Sequence, residues 1–232
     1  MDTMSDAEEM KKLAGEKAAE YVETGMIVGL GTGSTVYFTI MKLGELVRSG
    51  ELDIIGIPTS IATEKLAREQ GIKVGRLDDY PEIDLTIDGA DEVDPALNLI
   101  KGMGGALLRE KVVAMVSRQE IIIADGSKEV AQLGTKSALP VEVLPFALAA
   151  VKPKLEDLCV EAVLRERDGQ TYVSDNGNYI IDCRFNGISE PRELESRLNN
   201  IPGVVENGLF LGLANQAILG TADGLRILGN SE

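Results

Sequence analysis

Short apolar runs alternate with longer stretches of helical spacing through the first 125 residues, and this alternation limits the fold more than any other feature. Met26-Ile27-Val28, Asp53 to Ile57, Ile72 to Val74, Leu85-Thr86-Ile87 and Ile121 to Ala124 read as buried strands. Between and before them lie helices. Ser5-Asp6-Ala7-Glu8 fits a capping box ahead of Met10, Leu13, Ala14, Ala18, Tyr21 and Val22, with Gly25 as the stop. Ser34 to about Arg48, Thr59 to Glu69 and about Gly105 to Arg118 continue the pattern. Strands that alternate with helices predict an α/β fold with a mostly parallel sheet covered on both faces.

After Lys136 the pattern changes. LPVEVLP, Cys159 to Arg165, Tyr179 to Phe185 and Val204 to Phe210 read as strands, with helices from Phe146 to about Leu158 and from Pro191 to about Asn199. This βαββαβ order is the split βαβ or ferredoxin-like arrangement, and Pro153 should shorten or kink its first helix. Two apolar runs between Asn215 and Ile227 are free to return to the first sheet. The expected division is a parallel α/β domain over 1–135 completed by 211–232, and a small α+β domain over 136–210.

The net charge of −15 argues against non-specific binding to a nucleic acid backbone. An anionic ligand would need lysines, backbone N–H groups or a helix N-terminus to oppose that field. No apolar run approaches the roughly 20 residues that span a bilayer, and the acidic start lacks the form of a secretory signal. Two cysteines, Cys159 and Cys183, are too few for a disulfide framework, which makes a reducing cytoplasm the simplest setting. The chain has no histidine, so a base for proton transfer near neutral pH is a carboxylate, a lysine, a tyrosine or a cysteine.

Four motifs carry chemistry. Gly29-Leu30-Gly31-Thr32-Gly33-Ser34-Thr35 joins a strand to a helix, which favours a phosphate- or sugar-binding turn over the lesser alternative of a plain tight turn. Ser34 stands where a dinucleotide fingerprint ends in glycine, which weakens a nicotinamide reading. Asp88, Asp91, Glu92 and Asp94 follow a strand, suited to acid–base work, to a divalent metal or merely to a solvated turn. Lys101-Gly102-Met103-Gly104-Gly105 has the make-up of an anion-binding turn, and Glu110 follows on a helix. Asp125-Gly126-Ser127-Lys128 ends another strand and offers a second cation.

Taken together, GLGTGST, IDGADEVD, KGMGGALLREK and ADGSK closely resemble the A type of ribose-5-phosphate isomerase. The likeness continues through LPVEVLP, the DNGN turn, IPGVVENGLF and GTADG. It implies a Rossmann-like domain paired with a smaller ferredoxin-like one, and interconversion of ribose 5-phosphate and ribulose 5-phosphate in the pentose phosphate pathway without metal or cofactor. Substrate contacts implied by position come from Thr32, Gly33, Ser34 and Thr35, from Asp88, Gly89, Ala90 and Asp91, from Lys101, Gly102, Met103 and Gly104, and from Lys128. Glu110 matches the family's general base, while Asp88, Asp91 and Lys101 fall at catalytic positions. Met103 stands where the family commonly has glycine, and a position requiring positive φ would strain it. The resemblance also implies a homodimer or homotetramer. Two rivals are a sugar-phosphate-sensing module, for which no basic helix-turn-helix pattern precedes the domain, and a nicotinamide-dependent dehydrogenase.

Overall fold

The computed structural model describes residues 5–229; positions 1–4 and 230–232, which the expected division includes at its ends, lie outside the described residues. The chain forms two compact units. The first runs to Ala90, resumes at Arg109–Lys128 and returns from Gly212. The second comprises Asp91–Leu108 and Glu129–Leu211.

In the first unit the capping box is formed as the spacing predicts. Ser5 N donates to the Glu8 carboxylate at 3.0 Å and Glu8 N to Ser5 Oγ at 3.4 Å, which starts the helix Asp6–Ala19. Its small buried face, Ala14, Gly15, Ala18 and Ala19, brings it against the helix Ser34–Ser49 and the sheet. Seven strands lie in the order Gly224–Gly229, Gln216–Thr221, Ser117–Asp125, Ile83–Gly89, Ile27–Leu30, Ile55–Pro58 and Lys73–Val74. All neighbouring pairs are parallel except the closing hairpin. The late apolar runs therefore do return to the first sheet. Val28, Leu30, Leu85, Ile87, Ile121, Ile123 and Ile218 form its core with the helical Ala14, Val36, Ile40 and Leu43.

One helix is shorter than its spacing predicts. Leu107–Met115 stops before Ser117, because the next strand begins there rather than at Ile121. Parallel pairing of Ile83 with Ser117 draws residues 117–120 into the sheet, and Ser117 Oγ donates to Val113 O at 2.7 Å across the junction.

The second unit contains a four-stranded antiparallel sheet in the order Val204–Asn207, Leu139–Val143, Tyr179–Arg184, Glu161–Leu164. Helices Leu148–Glu156 and Pro191–Asn199 complete the βαββαβ order. Val141, Val143, Val151, Leu155, Ile181, Cys183, Leu194 and Leu198 form the core. Pro153 lies inside the first helix, which is shortened at both ends relative to expectation and is preceded by a tight 3₁₀ turn at Pro145–Ala147.

Residues 91–108 and 129–135, expected in the first domain, group with the second unit instead. Leu99–Ile100 pairs with both Glu92–Val93 and Leu209–Phe210 in a small sheet. The fully buried Glu92 carboxylate accepts the N–H groups of Gly134, Lys136 and Ser137, each at 2.6 Å, and so holds the 134–137 turn. The expected strand Val204–Phe210 breaks at Gly208, where a Cβ would lie 2.3 Å from Lys101 O. Its N–H and carbonyl instead bond Pro140 O at 2.8 Å and Lys101 N at 2.9 Å.

Candidate active site

Strand order in the parallel sheet reverses between Ile27–Leu30 and Ile83–Gly89: later strands are added on opposite sides of this pair. In open α/β sheets, the carboxyl ends of strands at such a point receive ligands. Here those ends carry Gly31–Thr35 and Asp88–Ala90. Asp88 is wholly buried, and its Oδ1 accepts Thr32 N at 3.1 Å and Gly89 N at 2.7 Å. Residue 31 must be glycine, because a Cβ would sit 2.1 Å from Asp88 Oδ1 and 2.6 Å from its Cα.

The four residues read as one substrate loop divide their tasks. Thr32 Oγ1 is held by Thr59 and Ser60 hydroxyls at 2.8 Å and by Thr63 at 3.1 Å, while Thr63 Oγ1 donates to Gly31 O at 2.8 Å. Thr32 is therefore part of the loop's framework. Gly33 and Ser34 are exposed at the start of the helix Ser34–Ser49, whose first turn has no side-chain cap; Thr35 is buried. The first N–H groups of a helix favour an anion placed at such a tip.

At another carboxyl end of the same sheet, Asp125 Oδ1 accepts Ser127 N at 3.0 Å and the Ser127 hydroxyl. That local turn presents Lys128 half-buried, and its ammonium makes no hydrogen bond or ion pair among the described residues. Glu110 lies in the first turn of Leu107–Met115 with only 4 % exposure.

In the second unit the Lys101 turn is built from both sides. Lys101 is 2 % exposed, with Nζ 5.3 Å from the Phe210 ring centroid. Asp91 N donates to Ile100 O at 2.8 Å, and Asp91 Oδ2 accepts Met103 N at 3.0 Å. Gly102 and Gly105 take the positive φ angles, 106° and 88°, while Met103 stays outside that region with its side chain exposed. Methionine therefore fits without the strain that a glycine position would impose. Two residues that the motifs did not reveal also hold this turn. Arg165 Nη1 donates to Gly102 O at 2.8 Å and Met103 O at 3.1 Å, and Tyr172 Oη donates to Gly104 O at 3.4 Å. They flank a hairpin that turns at Asp168-Gly169, an Asp-Gly signal present in the sequence.

The acidic cluster is directed at backbone amides. Asp94 Oδ1 accepts Ala96 N and Asn98 N at 2.8 Å, as Asp88, Asp91 and Glu92 accept theirs. Among the described residues no group of three or more Asp, Glu or Cys is placed to hold a metal ion.

A family model described as ribose 5-phosphate isomerase A (phosphoriboisomerase A) matches residues 55–224. The chain belongs to that family. It is 50% identical over 224 residues to the ribose-5-phosphate isomerase A of Gloeobacter violaceus, covering 96% of this chain and 97% of that one. Against the Bacillus mycoides protein of the same name it is 50% identical over 218 residues, 94% and 98% of the two chains. A solved D-ribose-5-phosphate isomerase in complex with phospho-erythronic acid superposes with a TM-score of 0.94 at 42% identity, covering 98% of this chain and 100% of that chain. The Methanocaldococcus jannaschii structure gives 0.91 at 41%, covering 96% and 99%. The mixed fold with its large, mostly parallel sheet is thus the family's fold, and the dehydrogenase reading has no support.

Proposed function

We propose that this chain interconverts D-ribose 5-phosphate and D-ribulose 5-phosphate, the isomerisation of the non-oxidative pentose phosphate pathway. The match to a phospho-erythronic acid complex over nearly the whole chain carries this reading. That ligand joins a phosphorylated polyol to a planar, anionic carboxylate, which has the charge and shape of an enediolate.

The residues supply each task. Gly33, Ser34, the N-terminal amides of their helix, and Lys128 hold the phosphorylated sugar. Thr32 and Thr35 keep that loop in shape. Asp88 and Asp91, with Gly89 and Ala90, serve ring opening and the movement of protons between sugar oxygens. From the open aldehyde, Glu110 removes the C2 hydrogen as a proton. The released electron pair forms the C1–C2 double bond, and the carbonyl pair moves to O1, giving the enediolate. Lys101 and the Gly104 amide of the turn stabilise that charge. Glu110 returns its proton to C1, and the O2 hydroxyl proton passes to O1, leaving the ketose.

Burial of Asp88, Lys101 and Glu110 supports these roles, since ionisable side chains are rarely buried without a task or a partner. The proposed setting is the cytoplasm, supported by the free thiols Cys159 and Cys183; among the described residues no helix is long and apolar enough to cross a membrane. A homodimer or homotetramer is supported by the family resemblance and by the fully exposed Phe146, apolar surface that a second copy would cover.

A coupled assay of ribulose 5-phosphate formation tests the activity, and a folded protein with no turnover would refute it. Glu110→Gln tests the base. It should lower kcat by about 10²–10⁴-fold with KM little changed, and should stop exchange of the substrate C–H with deuterated solvent. Exchange at the parent rate would remove Glu110 from the role.

A further inference from the structure

Three successive peptide groups of the Lys101 turn have their carbonyls held from the Arg165–Tyr172 segment. Arg165 is buried and its guanidinium is fully engaged. Nε donates to Asp182 Oδ2 at 2.8 Å and Nη2 to Asp182 Oδ1, while Nη1 takes both Gly102 O and Met103 O. A trans peptide is planar, with its N–H pointing opposite to its carbonyl. Binding Gly102 O therefore aims Met103 N–H away from the guanidinium, toward Asp91, where it bonds at 3.0 Å. Binding Met103 O does the same for Gly104 N–H. Gly104 is exposed, and its N–H makes no hydrogen bond among the described residues.

Within the turn Gly105 N donates to Gly102 O at 3.0 Å, but among the described residues only Arg165 holds Met103 O, the carbonyl of the peptide that carries Gly104 N–H. Gly102 and Gly105 flank these three peptides at φ 106° and 88°, and glycine lets a neighbouring peptide rotate at little steric cost. We propose that Arg165, anchored by Asp182, is a positioning residue: it fixes Gly104 N–H as a donor to the sugar oxygen that gains negative charge. The inference rests on the isomerase reading above. Arginine is required because its planar fork holds a carboxylate with one edge and two carbonyls with the remaining nitrogen; a lysine ammonium cannot do both.

Arg165→Lys and Arg165→Met test this. Losing one oxyanion donor typically costs about 10²–10³-fold, and a donor misaligned rather than deleted should cost about 10–10²-fold in kcat. KM for ribose 5-phosphate should stay within about threefold. The discriminating measurement is inhibition by phospho-erythronic acid against ribitol 5-phosphate, which carries the same phosphate but no anionic oxygen at the reacting end. Affinity for the acid should fall at least tenfold, with ribitol 5-phosphate unchanged. Parent-like kcat, or equal weakening of both ligands, would overturn the assignment. If neither variant melts cooperatively, Asp182→Asn keeps the guanidinium but loosens its anchor and should give the same split at about three- to tenfold. An equal effect on both ligands there would also overturn it. Turnover by the parent reports on the isomerase reading; the ratio of the two inhibition constants reports on Arg165 even if that reading fails.

Discussion

Gly31→Ala would test how closely the sheet's ligand-binding end is built. The added Cβ would meet Asp88 Oδ1 at 2.1 Å, Cγ at 2.3 Å and Cα at 2.6 Å, all below the 3.0 Å that real Cβ atoms respect. Rotating the carboxylate aside relieves only part of this, because the backbone Cα is too close as well. The strand Ile83–Gly89 or the turn must move by several tenths of an ångström. Overpacking of this kind costs about 1–3 kcal/mol, which for a chain of this length lowers Tm by about 2–12 °C. The displacement also falls on the carboxylate that Thr32 and Gly89 amides hold, and misplacement on the ångström scale costs about 10²-fold in rate. Thermal melts and the coupled assay should therefore show a loss in both Tm and kcat/KM. Gly25→Ala is the control: its φ is 94°, but nothing lies within 4 Å of the new Cβ. It should lose about 1–2 kcal/mol through backbone strain and keep its activity. A Gly31→Ala protein with parent Tm and activity would refute the close-approach reasoning.

Three further outcomes follow from other parts of the structure. Lys128→Ala should weaken substrate binding by about 1–3 kcal/mol, read as a raised KM, since a charge-assisted bond to the phosphate is lost; an unchanged KM would count against it. Met103→Gly should leave kcat/KM within about threefold, because Met103 does not occupy the positive-φ region and its side chain is exposed; a large gain would show that methionine obstructs the site. Interaction with the neighbouring Cys159 thiol, together with burial, pushes Cys183 above the ordinary thiol range, and the same interaction lowers Cys159. Above the unfolded thiol value of about 8.5, the unfolded chain has released both protons while the folded chain keeps that of Cys183. Stability should then fall as pH rises through the thiol range; urea titrations at rising pH should show this fall in the parent and a smaller one in Cys183→Ala.

The elements legible in the sequence were those whose pattern is local. The helix Pro191–Asn199 needs only its own proline and apolar spacing, and the Ser5 capping box needs four residues. Glu92–Val93 and Leu99–Ile100 were not legible, because two-residue strands have no periodicity and exist only through pairing with each other and with Leu209–Phe210. The candidate site divides in the same way. Motifs revealed Asp88, Lys101 and Lys128, but not that Thr32's hydroxyl belongs to a cluster with Thr59, Ser60 and Thr63, about thirty residues onward. In the sequence Arg165 is only the last residue of the expected strand Cys159 to Arg165. Its grip on Gly102 and Met103 joins residues more than sixty positions apart, which no spacing rule reaches.

The closing hairpin has a consequence for how the chain reaches this state. Gln216–Thr221 pairs in parallel with Ser117–Asp125, a contact that spans about a hundred residues, including the whole of the antiparallel sheet. Closing so long a loop is slow, and until it closes the strand bearing Ile121, Ile122 and Ile123 has an open edge. During synthesis that edge stays uncovered until Gln216–Thr221 has left the ribosome. A chain cut after Leu211 would keep it open permanently, and such a fragment should self-associate through it rather than stay monomeric.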